Sequence, residues 1–532
     1  MKRILLSALC AVPAFCFGQT LLYNDGAMIK VQAGATLYVE GGIQNTATGT
    51  IDNDGTIEVK GNFLNQGTWE ASQANTIKFS GNTNSDVTPG SAVFHNVVIQ
   101  KDATFNVNLL GNMTVNNNLD FNATGSSKIL TNNFDVKLGT AATVTGHDAD
   151  EYVATTGTGM MEKAVTADAT FLFPVGDAVD YSPISSTFTG TAYTAANIRA
   201  RVNDLVHPNK PADATDYISR FWDVNATGIT GYSNTLTGTY VGSDLTGTAS
   251  LVKGAVYDGT VWSYAGASAG SNTAIGTTND ATADFTGTNF FGQANLISFL
   301  QGAYNTTTGV MTTTYSTNAT IEALMLNSPY TDAPASVTDV PTGVTDWVKL
   351  ELRDPASPTT VLGKVSAFIK SDGHIVGLDG TSVPVIKNGN PTSIVAIIHR
   401  THLPVRTPNA GIDVTTGLEY DFSLDTLNAY RNTGNNNNPS MKYNAATNKF
   451  IMWAGNGNSN TTTRYNGPAN DRDYLLGTIL GGNTGGVILN TYSTGDYNMN
   501  GIVRYNGPAN DRDFLLGTIL SSNTGGVLTQ HF

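Results

Sequence analysis

The chain of 532 residues has only two cysteines, Cys10 and Cys16, and both lie within its first 18 residues. This segment has the layout of a secretory signal, because Lys2 and Arg3 precede an apolar stretch that ends on the small residue Gly18. We therefore expect cleavage after Gly18 and an extracellular or outer cell-surface location. The exported chain would contain no disulfide, so packing, metal or repetition must stabilise its domains.

Charge is also scarce, since only 13% of the residues are charged, against about 25% in ordinary soluble domains. Without Lys2 and Arg3, 26 basic residues face 42 acidic ones, a net charge near −16. A surface of that sign repels phosphate backbones, so we expect no nucleic-acid partner. No apolar run beyond the signal reaches the roughly 20 residues of a spanning helix, so no transmembrane helix is expected.

Glycine recurs every six residues near the N-terminus, at Gly49, Gly55, Gly61 and Gly67. Each glycine stands two positions before a large apolar residue; these residues are Ile51, Ile57, Phe63 and Trp69. A short period of strand and turn indicates a β-solenoid over residues 19–150, and it predicts that the four apolar side chains share one internal column. The alternative is an antiparallel meander with glycine turns.

Further strand-like stretches separated by glycine and threonine clusters predict two β-sandwich domains, at 151–292 and 300–443. The clearest candidates are Trp347 to Leu352 and Ile394 to Ile398. Helical periodicity is nearly absent, so the expected fold class is mainly β. Residues 432–438, almost pure asparagine and glycine, are interpreted as a linker.

Two patterns that resemble catalytic or metal sites are discounted. Gly266 to Gly270 matches a nucleophile elbow, but no helix pattern follows it. His399 and His402 are three residues apart after a strand-like run, where such residues point to opposite faces, so zinc is not expected.

The most specific signal is a duplication, because residues 464–487 recur as residues 504–527 with only three differences. The stretch that precedes the second copy has oxygen-bearing side chains at alternate positions and matches the first half of an EF-hand-type loop. The predicted metal ligands are Asp496, Asn498, Asn500, the carbonyl of Ile502, and Asp511 or Asp513 as the closing carboxylate.

We expect weak calcium binding at this second loop, because it contains few carboxylates. The first loop has Asn456, Asn458 and Asn460 in place of an acidic start, and whether it binds metal is left open. A hairpin of helices that holds no ion is the alternative for both loops. A short helix is predicted after the second loop, with Leu515 and Ile519, and Leu516 and Leu520, as pairs four residues apart.

The module at 446–527 resembles a dockerin-like pair of calcium-loop and helix units, in the variant with a Tyr-Asn-Gly-Pro insertion found in secreted proteins of the Bacteroidota. The segment from Leu300 to Thr407 is similar to the haemagglutinin-like or uncharacterised β domain that precedes this module in those proteins. Family members usually have acidic residues at the positions of Asn456, Asn460 and Asn500, so this chain departs from the pattern there.

The sequence thus predicts a non-enzymatic adhesion or scaffold protein that binds glycans or other surface partners. The alternative is a carbohydrate-active enzyme, a hydrolase or lyase, or its accessory subunit, since paired carboxylates can meet through folding. Asp52, Asp54 and Glu58 are its candidates within the solenoid, but they occupy outward positions of the repeat. No catalytic residue is assigned, and calcium is the only cofactor expected.

Overall fold

The computed structural model describes residues 21–71, 75–102, 104–122, 125–268, 272–434 and 438–532. The predicted signal at 1–18, the end of the elbow pattern at 269–270 and the centre of the predicted linker at 435–437 lie outside the described residues. The chain forms two compact units, one ending at Asn289 and one starting at Phe290. The predicted fold class is confirmed, because the chain is mainly β and includes a solenoid of about seven turns.

The solenoid has three sides, each made of parallel strands. The first side contains Leu22–Asn24, Ile43–Asn45, Phe63–Asn65, Ser85–Thr88, Val107–Leu109, Ile129–Leu130, Val153–Ala154 and Val175–Gly176. The second contains Met28–Val31, Thr50–Asn53 and Thr68–Ala71. The third contains Thr36–Val39, Thr56–Val59, Thr76–Gly81, Val93–Lys101, Met113–Phe121, Val136–Leu138, Thr143–Thr145 and Met161–Ala164.

The six-residue period marks successive sides of one turn rather than successive turns. Ile51 and Trp69 are partners on the second side, whereas Ile57 lies on the third and Phe63 on the first. All four side chains belong to or pack against the same core, but the prediction of a single column was wrong. Stacked partners are 18 to 25 residues apart, because the chain must complete three sides before it returns.

An antiparallel region continues the third side of the solenoid. Met161–Ala164 pairs parallel with Val136–Leu138 and antiparallel with Ala192–Asn203, so the predicted boundary near 150 falls inside a shared sheet and a shared core. The sheet goes on through Phe221–Thr230, Thr282–Asn289, Tyr217–Ile218, Leu245–Thr246, Val252–Tyr257 and Trp262–Ser268. A four-stranded sheet contains Ala169–Phe173, Ile184–Thr189, Ser233–Thr239 and Thr273–Thr278. Short 3-10 helices span Gly242–Asp244 and Ala249–Leu251.

The second unit has an eight-stranded sheet at its centre. Its strands are His402–Arg406, Thr392–His399, Val344–Asp354, Ser357–Lys370, His374–Val376, Leu296–Ile297, Tyr420–Asp421 and Ile412–Asp413. Two-stranded ribbons join Phe291–Gln293 to Val385–Lys387 and Lys442–Asn444 to Lys449–Ile451. Helices span Thr314–Thr317 and Ala319–Met325, and a 3-10 helix spans Thr426–Asn428. No helix in the described part of the chain is both long and apolar enough to cross a membrane.

The duplicated module exchanges strands between its copies. In the first copy, Thr462–Arg464 and Val487–Leu489 flank a helical segment; in the second, Ile502–Arg504 and Val527–Thr529 do so. The first strand of each copy pairs antiparallel with the last strand of the other. Each small sheet therefore contains one strand from each copy, and the two copies form a single folded module.

The helical segments differ from the α-helix predicted by the four-residue spacing. Asp471–Asp473 and Asp511–Asp513 form single α turns, which continue as π-helical turns at Tyr474–Ile479 and Phe514–Ile519. In the second copy the amide of Leu520 donates to the carbonyl of Leu515, and this five-residue step buries both side chains while Leu516 stays half-buried. The pairing of Leu516 with Leu520 on one buried face was wrong, because the wider turn rotates the apolar stripe.

Candidate cation site in the duplicated module

Asp496 begins the second loop with a fully buried carboxylate. Its Oδ1 accepts a hydrogen bond from the amide of Asn500 at 3.1 Å, and its Oδ2 accepts one from the amide of Gly501 at 2.7 Å. Gly501 has a φ of +82°, which is the conformation that glycine permits at this sharp turn. The backbone therefore folds around the carboxylate as the loop pattern predicts.

Asp511 lies close to Asp496 and joins the two ends of the loop. Its carboxylate accepts hydrogen bonds from the amides of Tyr497 at 2.9 Å and Arg504 at 3.0 Å. Burial raises the pKa of Asp496 to about 6. Burial, together with the neighbouring Asp496 carboxylate, raises the pKa of Asp511 to about 8. Two buried acids thus share one loop, and neither forms a salt bridge with a described residue.

The remaining predicted ligands divide into two groups. Asn498 and Asn500 lie in the loop, where their amide nitrogens reach the carbonyl of Ala509 and their oxygens accept from backbone amides. Ile502 opens the following strand. Asp513 is exposed and bonded to Arg512 and Asn510, so of the two proposed closing carboxylates only Asp511 is placed beside Asp496.

The donor set fits a hard cation, because it consists of two buried carboxylates, two half-buried amide side chains and a backbone carbonyl oxygen. A cation would also offset the cost of burying two neighbouring carboxylates. Within the described ranges, no three or more His, Cys, Asp or Glu side chains are grouped to hold a metal ion. The loop would therefore depend on two carboxylates and on neutral oxygens, which favours modest affinity.

The first loop repeats half of this arrangement. Asp471, the counterpart of Asp511, accepts from the amides of Gly457 and Arg464, and burial raises its pKa to about 7. Asn456 replaces Asp496, and its buried Oδ1 has no hydrogen-bond partner among the described residues. This loop therefore brings one carboxylate and one unpartnered amide oxygen to the same place.

The prediction that His399 and His402 point to opposite faces was wrong. The strand Thr392–His399 ends at the first histidine and the strand His402–Arg406 begins at the second, and the two residues are direct partners. Arg400 and Thr401 form the turn between them. Both rings are buried, with their Nδ1 atoms 2.8 Å apart.

Several residues that contact the second loop were not predicted from sequence. Tyr315 donates its hydroxyl to Asp496 Oδ2 at 3.0 Å. Arg400 stacks on the rings of Tyr492 and Tyr315, with its central carbon 4.0 Å and 5.2 Å from the ring centroids. Local sequence carries no signal for these contacts, because Tyr315 and Asp496 are 181 residues apart.

The acids proposed for catalysis lie in ion pairs on the outer surface of the solenoid. Asp52 and Asp54 share Lys30 at 2.6 and 3.1 Å, and Glu58 faces Lys78 at 3.3 Å. Since each carboxylate is half-buried on the outer surface and lies beside an ammonium group, the geometry favours surface ion pairs over a catalytic pair.

A second acidic cluster in the first unit surrounds a buried arginine. The guanidinium of Arg220 contacts the carboxylates of Asp177, Asp180, Asp204 and Asp244. The guanidinium lies among these carboxylates and is fully buried, so the cluster is a structural ion network.

Comparison with protein-family models, curated proteins and solved structures finds no match to this chain. The features of this chain that bear on its function are therefore the fold, the duplication and the chemistry of the second loop.

Proposed function

We propose that this chain is a non-enzymatic adhesion or scaffold protein of the extracellular or outer cell-surface space, which binds glycans or other surface partners. The observation that supports this proposal is the outer face of the solenoid's third side. There, consecutive strands align one outward row of side chains: Tyr38, Glu58, Lys78, Val98, Asp120 and Thr145.

Adjacent strands in a sheet are about 4.8 Å apart, so such a row repeats hydrogen-bonding and apolar groups along a rigid surface. A regular face of this kind favours many weak contacts with an extended partner. Weak contacts on one rigid body add together through effective concentration, which suits adhesion better than turnover of a small substrate.

A glycan array and a panel of polysaccharides would test this proposal with the chain from Gln19 onward. We expect binding without cleavage. The double variant Tyr38→Ala, Asp120→Ala on the third side should weaken binding, while the matched pair Asp52→Ala, Glu70→Ala on the second side should leave it unchanged. Cleavage that is lost on changing one or two acids would contradict the proposal and support a carbohydrate-active enzyme.

The C-terminal module stabilises the protein by binding calcium, mainly through the second loop. This part of the proposal is supported by the two buried carboxylates of Asp496 and Asp511, against the single Asp471 in the first loop, because calcium affinity rises with the number of charged ligands. At a free calcium concentration about 100 times the dissociation constant, linkage adds about 2.7 kcal/mol to the stability of the folded form.

Thermal melting with calcium and with chelator tests this role. Asp496→Ala should remove most of the calcium-dependent gain, and Asn456→Ala should remove little of it. Equal melting temperatures of the unmodified chain in millimolar calcium and in chelator would mean that the duplicated module holds no stabilising ion.

A further inference from the structure

Tyr315 reaches the second loop from the β domain that precedes the module. It lies in the helix Thr314–Thr317 with 1% of its surface exposed. Its hydroxyl donates to Oδ2 of Asp496, the oxygen that also accepts from the amide of Gly501. One carboxylate oxygen therefore has two donors, and rotation of the carboxylate about its last bond would break both hydrogen bonds.

The segment that leads into the loop is also held from the β domain. Arg400 donates to the carbonyl of Ser493 at 2.6 Å and to Asp346 Oδ2 at 3.1 Å. The hydroxyl of Tyr492 donates to the other oxygen of Asp346. Since Asp346 and Arg400 lie in the central sheet and its hairpin turn, the residues just before Asp496 cannot move independently of that sheet.

The Tyr315 hydroxyl is the donor in its pair with Asp496, because an ionised carboxylate can only accept a hydrogen bond. The helix that follows adds a third contact, in which the Asn318 amide nitrogen donates to Asn490 Oδ1 at 2.9 Å.

We propose that Tyr315 is a positioning residue for the cation site, and that the β domain thereby completes a site whose ligands all lie in the duplicated module. The proposal rests on the proposed calcium role of the second loop. The hydroxyl holds the carboxylate of Asp496 in one orientation before the cation binds, which lowers the ordering cost of binding.

The first loop offers an internal comparison. Asn456 stands at the position of Asp496, and within the described residues its buried side-chain oxygen receives no hydrogen bond. The two loops thus differ in their first ligand and also in the support that this ligand receives. Both differences favour cation binding at the second loop.

The test is calorimetric titration of the chain from Gln19 onward with calcium chloride, comparing Tyr315→Phe with the unmodified protein. We expect the variant to bind calcium about 10- to 100-fold more weakly, the range typical for loss of a hydrogen bond to a metal ligand. Tyr304→Phe is the matched control, because it removes a partly buried hydroxyl that donates to Thr447 in the same unit and should leave the affinity unchanged.

Melting in calcium and in chelator separates positioning from a purely structural role. A positioning residue reduces the calcium-dependent shift, whereas a structural residue lowers both melting temperatures equally and leaves the shift intact. The second result, or unchanged affinity in Tyr315→Phe, would overturn the proposal. If the unmodified chain binds no calcium, the proposed calcium role fails as well, and this outcome is distinguishable from the first.

A second measurement does not depend on the variant folding. 3-Fluorotyrosine placed at position 315 keeps the hydroxyl and reports on its surroundings by fluorine NMR. Its resonance should shift during a calcium titration with the midpoint found by calorimetry. A resonance that does not respond to saturating calcium would overturn the proposal.

Discussion

His402 donates a hydrogen bond from its Nδ1 to the Nδ1 of His399, 2.8 Å away. The direction follows from the outer partners of the pair. The amide of Gly302 donates to His402 Nε2 at 3.1 Å, so the proton of His402 is on Nδ1. His399 accepts that proton's hydrogen bond and carries its own proton on Nε2, which lies 3.0 Å from Asp346.

The stabilisation that this histidine pair provides should depend on pH. Burial lowers the pKa of both His399 and His402 below 6.5, so below that pH the unfolded chain binds more protons than the folded one. The contribution of this pair to the stability of the folded form therefore decreases as the pH falls from 7 to 5, by up to about 1.4 kcal/mol per pH unit for each histidine.

Chemical unfolding of the unmodified chain and of His402→Gln should show this effect. The stability advantage of the unmodified chain should be largest near pH 7 and should decrease toward pH 5. His374→Gln, at a half-buried site in the same unit and outside the pair, is the control and should follow the unmodified chain. A difference that is constant between pH 5 and 7 would rule out titration of the pair.

Asp511 and Asp513 form a matched pair for the cation site, because they lie two residues apart and only Asp511 is buried beside Asp496. Asp511→Asn should abolish most of the calcium-dependent gain in melting temperature, since it removes one of two carboxylates. Asp513→Asn should keep that gain and lose only a surface ion pair with Arg512, which is worth at most about 1 kcal/mol. Equal losses in both variants would show that Asp511 is not a ligand.

Ser521 and Ser522 occupy left-handed backbone conformations, with φ of 51° and 62°. The first copy has Gly481 and Gly482 at the same places, with φ of 59° and 79°. A residue with a side chain is destabilised by about 1 kcal/mol or more in the left-handed conformation, because its Cβ approaches the backbone. Ser521→Gly and Ser522→Gly should therefore each stabilise the module by about 1 kcal/mol.

The reverse changes, Gly481→Ser and Gly482→Ser, should destabilise the module by a similar amount. No heavy atom lies within 4 Å of a Cβ placed at either glycine, so only backbone strain can act there. Urea unfolding measures the free energy of unfolding of all four variants. If the serine-to-glycine and glycine-to-serine changes shift it with the same sign, backbone strain is not the cause.

Ile57 is fully buried between Leu37 and Ile77 on the third side of the solenoid. Ile57→Asp places an unpaired charge in the core and should cost several kcal/mol, enough to unfold the surrounding turns. Thr56→Asp, one residue earlier and pointing outward, should change stability by less than 1 kcal/mol. Circular dichroism during thermal melting would separate the two, and similar melting curves would place Ile57 outside the core.

Alternation of apolar and polar residues predicted the solenoid strands and their inward side chains, as the burial of Ile51 and Ile57 confirms. The same pattern failed to predict how the strands stack. A spacing of six marks the step from one side of the solenoid to the next, and it does not give the number of residues in a complete turn. The duplicated module was also predicted only in part. Its repeat and its buried Leu515 were predicted, whereas the π-helical turn that brings Leu520 beside it was not.

The class of fold, the duplication and the oxygen-rich loop could be predicted from the amino-acid sequence, because each depends on residues that are close along the chain. The folded chain was needed to show that Asp511 rather than Asp513 lies beside Asp496, and that Tyr315 donates a hydrogen bond to Asp496. Asp511 and Asp513 have the same side chain, and the orientation of the helical turn buries one and exposes the other. Tyr315 meets Asp496 through the packing of a helix against the second loop, and no local periodicity encodes a contact across 181 residues.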